Sequence, residues 1–191
     1  MDIPRQVWRH SLPYLLARGF TLIELMVTLT IAAILVTLST SFGNLLQRNE
    51  LTTVVNTLVA DMNFARSEAI KTGTEVIICI TQDGLNCAKG DRWHDGWMVY
   101  YDKDGDRRRD DDEPLTRQQS ALSGTTSIIY NGRPVDNYVR FQASGTTNYN
   151  GTFAICNSRN TALKRALVLS NTGRLRSSSY LPNGKAINCP D

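Results

Sequence analysis

Arg174 and Arg176, one residue apart, carry the most readable chemistry in this chain. A guanidinium presents a rigid fork of N–H donors that matches a phosphate or a carboxylate. The preceding Asn171-Thr172-Gly173 reads as a turn after a strand at 166–170. Both arginines then lie on an extended segment and face the same way, their roots about 6.6 Å apart, with Leu175 pointing inward. That spacing is close to the phosphate repeat along a nucleic-acid strand, so each fork is placed to grip one phosphate. A charged edge strand blunted against aggregation would also turn its arginines outward. The surroundings favour an anionic partner. Residues 137–190 hold Arg140, Arg159, Lys164, Arg165, Arg174, Arg176 and Lys185 and no acid, a local +7, whereas residues 20–136 hold eleven basic and sixteen acidic residues, giving −5. Such an asymmetry between halves points to an anionic partner for the basic half. Gly173, Lys164, Arg165 and Lys185 join the two arginines as candidates for a DNA-binding surface that is largely indifferent to base sequence. Tyr180, nearby, reads as packing rather than as a platform for a base.

A second charge stands out for its setting. Between Phe20 and Leu38 the only ionisable side chain is Glu24, in an apolar run that would extend about 28 Å as a helix and so reach across a bilayer's hydrocarbon core. A carboxylate in such a place is costly and is retained for a function, usually with a cationic partner. The basic stretch before it ends in Gly19 and lacks a small-x-small cleavage site, so cutting there would leave the apolar helix on the product. The leader holds Arg5, Arg9 and Arg18 against Asp2, so its loss brings the net charge from +3 to about +1.

Other constellations are weaker. Asp102, Asp104, Asp106, Asp110 and Glu113 put oxygens at positions 1, 3, 5, 9 and 12 of a calcium loop, but position 6 is Arg107 instead of glycine and Arg107, Arg108 and Arg109 oppose a dication. This segment reads as a solvated, self-neutralised loop between strands, and no metal or cofactor is expected. Four cysteines in a domain outside the cytoplasm read as two disulfides. Three pairings are open, and sequence proximity favours Cys79 with Cys87 and Cys156 with Cys189. The latter pair would close a loop around the basic residues and preorganise them. His10 lies in the leader, and His94 reads as a loop or packing residue. No nucleophile, base and orienting group fall in a catalytic pattern, so no enzyme is expected.

The elements that must position these groups follow from periodicity. Leu51, Val55, Leu58, Met62, Ala65 and Ala69 recur every three or four residues, so the anchor helix continues as an amphipathic one and stops at Thr72-Gly73-Thr74. Short β-type runs follow at 75–80, 97–101, 115–119, 126–130, 138–141, 152–156, 165–170 and 174–178, punctuated by glycine and asparagine. The expected class is α+β, a long N-terminal helix packed against antiparallel β-sheets. The expected organisation is a leader over 1–19, a transmembrane part over 20–42, an amphipathic part over 43–72 and a β-rich domain over 73–191.

Gly19-Phe20-Thr21-Leu22-Ile23-Glu24 resembles the class III signal of type IV pilins and pseudopilins. The resemblance implies cleavage by a prepilin peptidase after Gly19, methylation of Phe20, and pairing of Glu24 with the N-terminal amine of a neighbouring subunit during assembly. It also implies a single-pass inner-membrane protein with a periplasmic domain, later part of a pilus at the cell surface. Ala65-Arg66-Ser67-Glu68-Ala69-Ile70, Trp93-His94-Asp95-Gly96-Trp97, Tyr101-Asp102-Lys103-Asp104-Gly105-Asp106 and Thr172-Gly173-Arg174-Leu175-Arg176 are similar to the FimT and GspH branch of pilin-like proteins. Within that branch Gly173-Arg174-Leu175-Arg176 matches the Gly-Arg-x-Arg of FimT-type minor pilins linked to DNA uptake in natural transformation. The alternative is a GspH-like pseudopilin, a structural tip or assembly subunit of a type II secretion system whose partners are other subunits.

Overall fold

The computed structural model describes residues 19–132, 137–147 and 149–189, the side chains of 38–42 apart. The leader expected over 1–19 therefore lies, Gly19 excepted, outside the described residues. The chain divides into two units, Met1–Phe42 and Gly43–Asp191, and one helix, α1 (Leu22–Thr72), contributes to both. In the first unit α1 is capped by Thr21, whose Oγ1 accepts a hydrogen bond from the Glu24 backbone N–H at 3.3 Å, the cap that a threonine three residues before a glutamate provides. The large apolar side chains from Phe20 to Val36 are exposed. Among the described residues no helix is long and apolar enough to cross a membrane. The stretch expected to do so runs on through 38–42, whose side chains are not described.

In the second unit α1 buries Leu51, Val54, Leu58, Met62, Ala65 and Ala69. The expected stripe has Val55 where the structure buries Val54; Val55 is half-buried at its edge. Spacings of three and four fit both residues, so only packing separates them. Among the described residues eight antiparallel strands follow: β1 (Glu75–Ile80), β2 (Trp97–Asp102), β3 (Leu115–Gln119), β4 (Thr126–Gly132), β5 (Tyr138–Phe141), β6 (Gly151–Asn157), β7 (Lys164–Leu169) and β8 (Leu175–Ser178). They form two four-stranded sheets, in the orders β3-β2-β1-β5 and β4-β6-β7-β8.

Strand alternation sorts each sheet's side chains into an inner and an outer set. From β1, Val76, Ile78 and Ile80 join the helix stripe in the main core, as do Ile128, Phe153, Ile155, Leu167 and Leu169 from the other sheet. Ile77 and Cys79 face the opposite way and form a smaller cluster with Met98 and Tyr100, while Cys156 and Ala166 form another with Ile187. Each outer cluster is closed by a disulfide, Cys79–Cys87 in the first and Cys156–Cys189 in the second. The second staples the C-terminal segment over the outer face of β6 and β7.

Polar ties fix the helix to the sheets. Glu50 accepts hydrogen bonds from the backbone N–H groups of Thr125 and Thr126 at 2.9 and 3.0 Å and from the Thr126 hydroxyl at 2.8 Å. Asp61, buried, accepts from the Trp97 indole N–H and from Arg117, both at 2.8 Å. Hydrogen bonds to a charged acceptor contribute more than neutral ones, and removing Glu50 would leave the donors at the start of β4 unpaired. Glu50→Ala is therefore expected to lower stability by about 2 kcal/mol, read as a lower urea midpoint with an unchanged slope.

Candidate nucleic-acid interface

The β7–β8 hairpin turns through Asn171, Thr172 and Gly173. Gly173 N–H donates to the Ser170 carbonyl at 2.9 Å and Ser170 N–H donates to the Arg174 carbonyl at 3.0 Å. Gly173 adopts φ +73°, the left-handed residue of a three-residue hairpin loop. It is also buried. A Cβ there would lie 2.2 Å from the Gly145 carbonyl oxygen and 2.9 Å from Arg66 Nε, and those two groups are hydrogen-bonded at 2.8 Å. Thr147 adds two further bonds, its N–H to the Asn171 carbonyl at 2.9 Å and its hydroxyl to the Ser170 carbonyl at 3.2 Å. The hairpin is thus clamped from α1 through Arg66 and from the 142–147 turn.

Beyond the clamp, β8 is an edge strand that among the described residues is hydrogen-bonded to β7 alone. Leu175, half-buried, packs against the main core, while Arg174 and Arg176 on either side of it are exposed. Among the described residues neither arginine makes an ion pair, so both guanidinium forks are open to an anion.

The other basic residues divide. Lys164 lies on the same sheet face as Ala166, which joins the outer cluster, and its ammonium donates to the Ile187 carbonyl at 3.1 Å, tying down the C-terminal segment. Arg165 alternates to the helix side, lines a groove with Leu51 and Leu167, and donates to the Ser179 hydroxyl at 3.1 Å. Arg140 is paired with Glu75 at 3.1 Å and is not free for a ligand. Lys185 is exposed in the C-terminal turn, and Tyr180 is exposed too. The structure therefore gathers Arg174 and Arg176, separates Arg165 from them, and gives Gly173 and Lys164 positioning roles. No local signal in the sequence discloses Arg66, Gly145 and Thr147 as parts of the site, because their bonds span long separations, 79 residues for Arg66 and Gly145.

The remaining singled-out groups serve structure. His94, in a single 3-10 turn (Trp93–Asp95), places Nδ1 3.0 Å from the carbonyl and 3.3 Å from the N–H of Ile128, docking that turn on β4. Tyr101 donates to Glu68 at 2.5 Å, and this bond holds the Glu68 carboxyl below its ordinary pKa and raises that of the tyrosine.

A family model described as type II transport protein GspH matches residues 54–173. The chain belongs to this family. A prokaryotic N-terminal methylation motif matches residues 16–40. Two crystal forms of the type IV minor pilin FimU of Pseudomonas aeruginosa (strain PAO1) are similar in structure. One has 25% identity over 73% of this chain and 93% of that chain with a TM-score of 0.54; the other has 23% identity over 71% and 95% with a TM-score of 0.51. The minor pseudopilin EpsH of the Vibrio cholerae type 2 secretion system shows 14% identity over 68% of this chain and 96% of that chain, with a TM-score of 0.48. No curated protein sequence matches the chain. The chain is accordingly a minor type IV pilin or pseudopilin of the GspH and FimU kind, a class of structural subunits. The GspH match ends at Gly173, so Arg174 and Arg176 lie just past it.

Proposed function

We propose that this GspH-family subunit binds DNA through Arg174 and Arg176 at the exposed edge of β8 during DNA uptake, as its resemblance to FimT-type minor pilins implies. The observation that carries the reading is the pair of unpaired, exposed guanidinium groups flanking an inward Leu175, on a hairpin clamped from two sides. Pre-ordering of this kind lowers the entropic cost of gripping a phosphate. Arg159 and Lys185, both exposed, extend the positive field in a stretch that holds no acid. Affinity comes from phosphate contacts and is insensitive to base sequence. Titration of the domain from Asn44 onward with two unrelated duplexes at low and moderate salt tests this. Similar affinities for both, falling steeply with salt, are expected; absence of binding at low salt would remove the proposal.

Assembly rests on the first unit. Prepilin peptidase cuts after Gly19, Phe20 becomes the methylated N-terminus, and Glu24 pairs with the amine of a neighbouring subunit. Before assembly the apolar helix anchors the chain in the inner membrane with the second unit in the periplasm; afterwards it lies within the pilus. The methylation-motif match and the exposed apolar side chains from Phe20 to Val36 support this. Mass spectrometry of membrane-extracted protein is expected to give a mature chain beginning at methylated Phe20, and a different N-terminus would contradict it.

The family description favours a second reading, in which the chain is a pseudopilin of a type II secretion filament and its ligands are other subunits. It retains the same processing and predicts no DNA affinity.

A further inference from the structure

We propose that the β2–β3 connection holds a calcium ion, ligated by the carboxylates of Asp102, Asp104 and Asp106. One oxygen from each lies within 4.8 Å of the others. Two oxygens on one calcium ion, each 2.3–2.6 Å from it, are at most about 5 Å apart, so the three already converge on a single sphere. Without a cation their negative charges repel, and the repulsion is poorly screened where one of them is shut off from water.

Asp102 supplies the independent observation. It is only 1% exposed, at the end of β2, and its carboxylate is directed into the cluster. Its Oδ1 accepts from the N–H groups of Gly105 and Arg107 at 3.0 and 3.5 Å, whereas its Oδ2 is buried with no hydrogen-bond partner. A buried carboxylate oxygen without a donor is destabilising until a cation, a proton or a water meets it, and the convergence of three carboxylates favours the cation. Asp104 and Asp106, both exposed, complete the opening toward solvent through which the ion would enter.

The two objections raised by the sequence fall away. Position 6 of a calcium loop needs a backbone that glycine usually supplies. Arg107 supplies it here at φ +67°, the one positive-φ non-glycine residue among those described. The expected self-neutralisation is only partial. Among the described residues the ion pair within the loop is Lys103 with Asp112, at 3.5 Å, while Arg107, Arg108 and Arg109 pair with none of the three clustered aspartates. Arg107 interacts with the Tyr138 hydroxyl and, at longer range, with the charge of Asp102. Glu113, buried at position 12, accepts from the N–H groups of Lys103 at 2.6 Å and Asp110 at 3.2 Å, closing the loop around the cluster. A flexible loop of carboxylates suits calcium better than magnesium, which demands a tighter octahedron and keeps its waters.

The test is calorimetric titration of the full-length chain in detergent micelles, stripped with EDTA, using calcium chloride and separately magnesium chloride, with thermal unfolding followed in parallel. One calcium per chain is expected, half-saturating at about 0.1–1 mM as in extracellular calcium modules, with a raised unfolding midpoint and about tenfold weaker binding of magnesium. Asp104→Asn with Asp106→Asn changes only exposed side chains. Because it removes two of the mutually repelling charges, it should raise the calcium-free midpoint while weakening calcium binding by about tenfold or more. No calcium-dependent heat or midpoint change at about 10 mM would overturn the site, and undiminished binding by the double variant would overturn its location.

Discussion

Gly173→Ala is expected to destabilise the domain by about 3 kcal/mol, with Arg174 and Arg176 still in the chain. Two separate penalties add. The residue sits at φ +73°, which costs an L-residue about 1–2 kcal/mol. The new methyl would also fall 2.2 Å from the Gly145 carbonyl oxygen, and backbone held by Arg66 cannot swing aside as a flexible side chain would. Overpacking of this sort costs typically about 1–3 kcal/mol more. Gly184→Ala separates the two effects, because Gly184 has φ +77° and nothing within 4 Å of where its Cβ would be. That variant should show only the backbone penalty. Urea unfolding of both decides the matter: a midpoint for Gly173→Ala no lower than that for Gly184→Ala would mean that the clamp on the hairpin is soft.

Gly173 shows what a sequence conveys and what it withholds. Its place before Arg174 marks a turn, because a hairpin loop needs a residue tolerant of positive φ. That it must also be small, since a helix arginine and a second turn press on it, is a tertiary fact with no local signature. The strands behave similarly. Runs rich in Val, Ile and aromatic residues at 75–80 and 138–141, and the more polar run at 115–119, are legible because they are bounded by turn residues, and β1, β3 and β5 have those bounds. The division into two sheets is not legible, because nothing in the order of β4 and β5 says that the chain leaves one sheet and returns to the other. In the candidate interface, Arg174, Leu175 and Arg176 follow from alternation, with Leu175 packed inward and its neighbours outward. Charge alone groups Lys164 and Arg165 with them, yet adjacent strand residues point to opposite faces, and charge counting is blind to that. Composition likewise marks the acidic loop as self-neutralised, whereas its geometry depends on where Arg107 and Asp102 place backbone and oxygen.

The assignment of DNA binding to the β8 edge stands or falls on salt-dependent titration of Arg174→Gln/Arg176→Gln beside the parent domain. Glutamine keeps polarity and much of the length while removing the charge, so the fold should be unaffected at two exposed positions. Each phosphate that is no longer neutralised takes about 0.9 from the slope of log K against log salt on duplex DNA. The double variant should therefore bind every duplex more weakly at low salt and show a slope shallower by roughly two. Arg165→Gln, on the other face of β7, should leave the slope near that of the parent. Affinity and slope equal to the parent in the double variant would contradict DNA binding at this edge, leaving Arg174 and Arg176 as charges that blunt an edge strand and the pseudopilin reading as the better one.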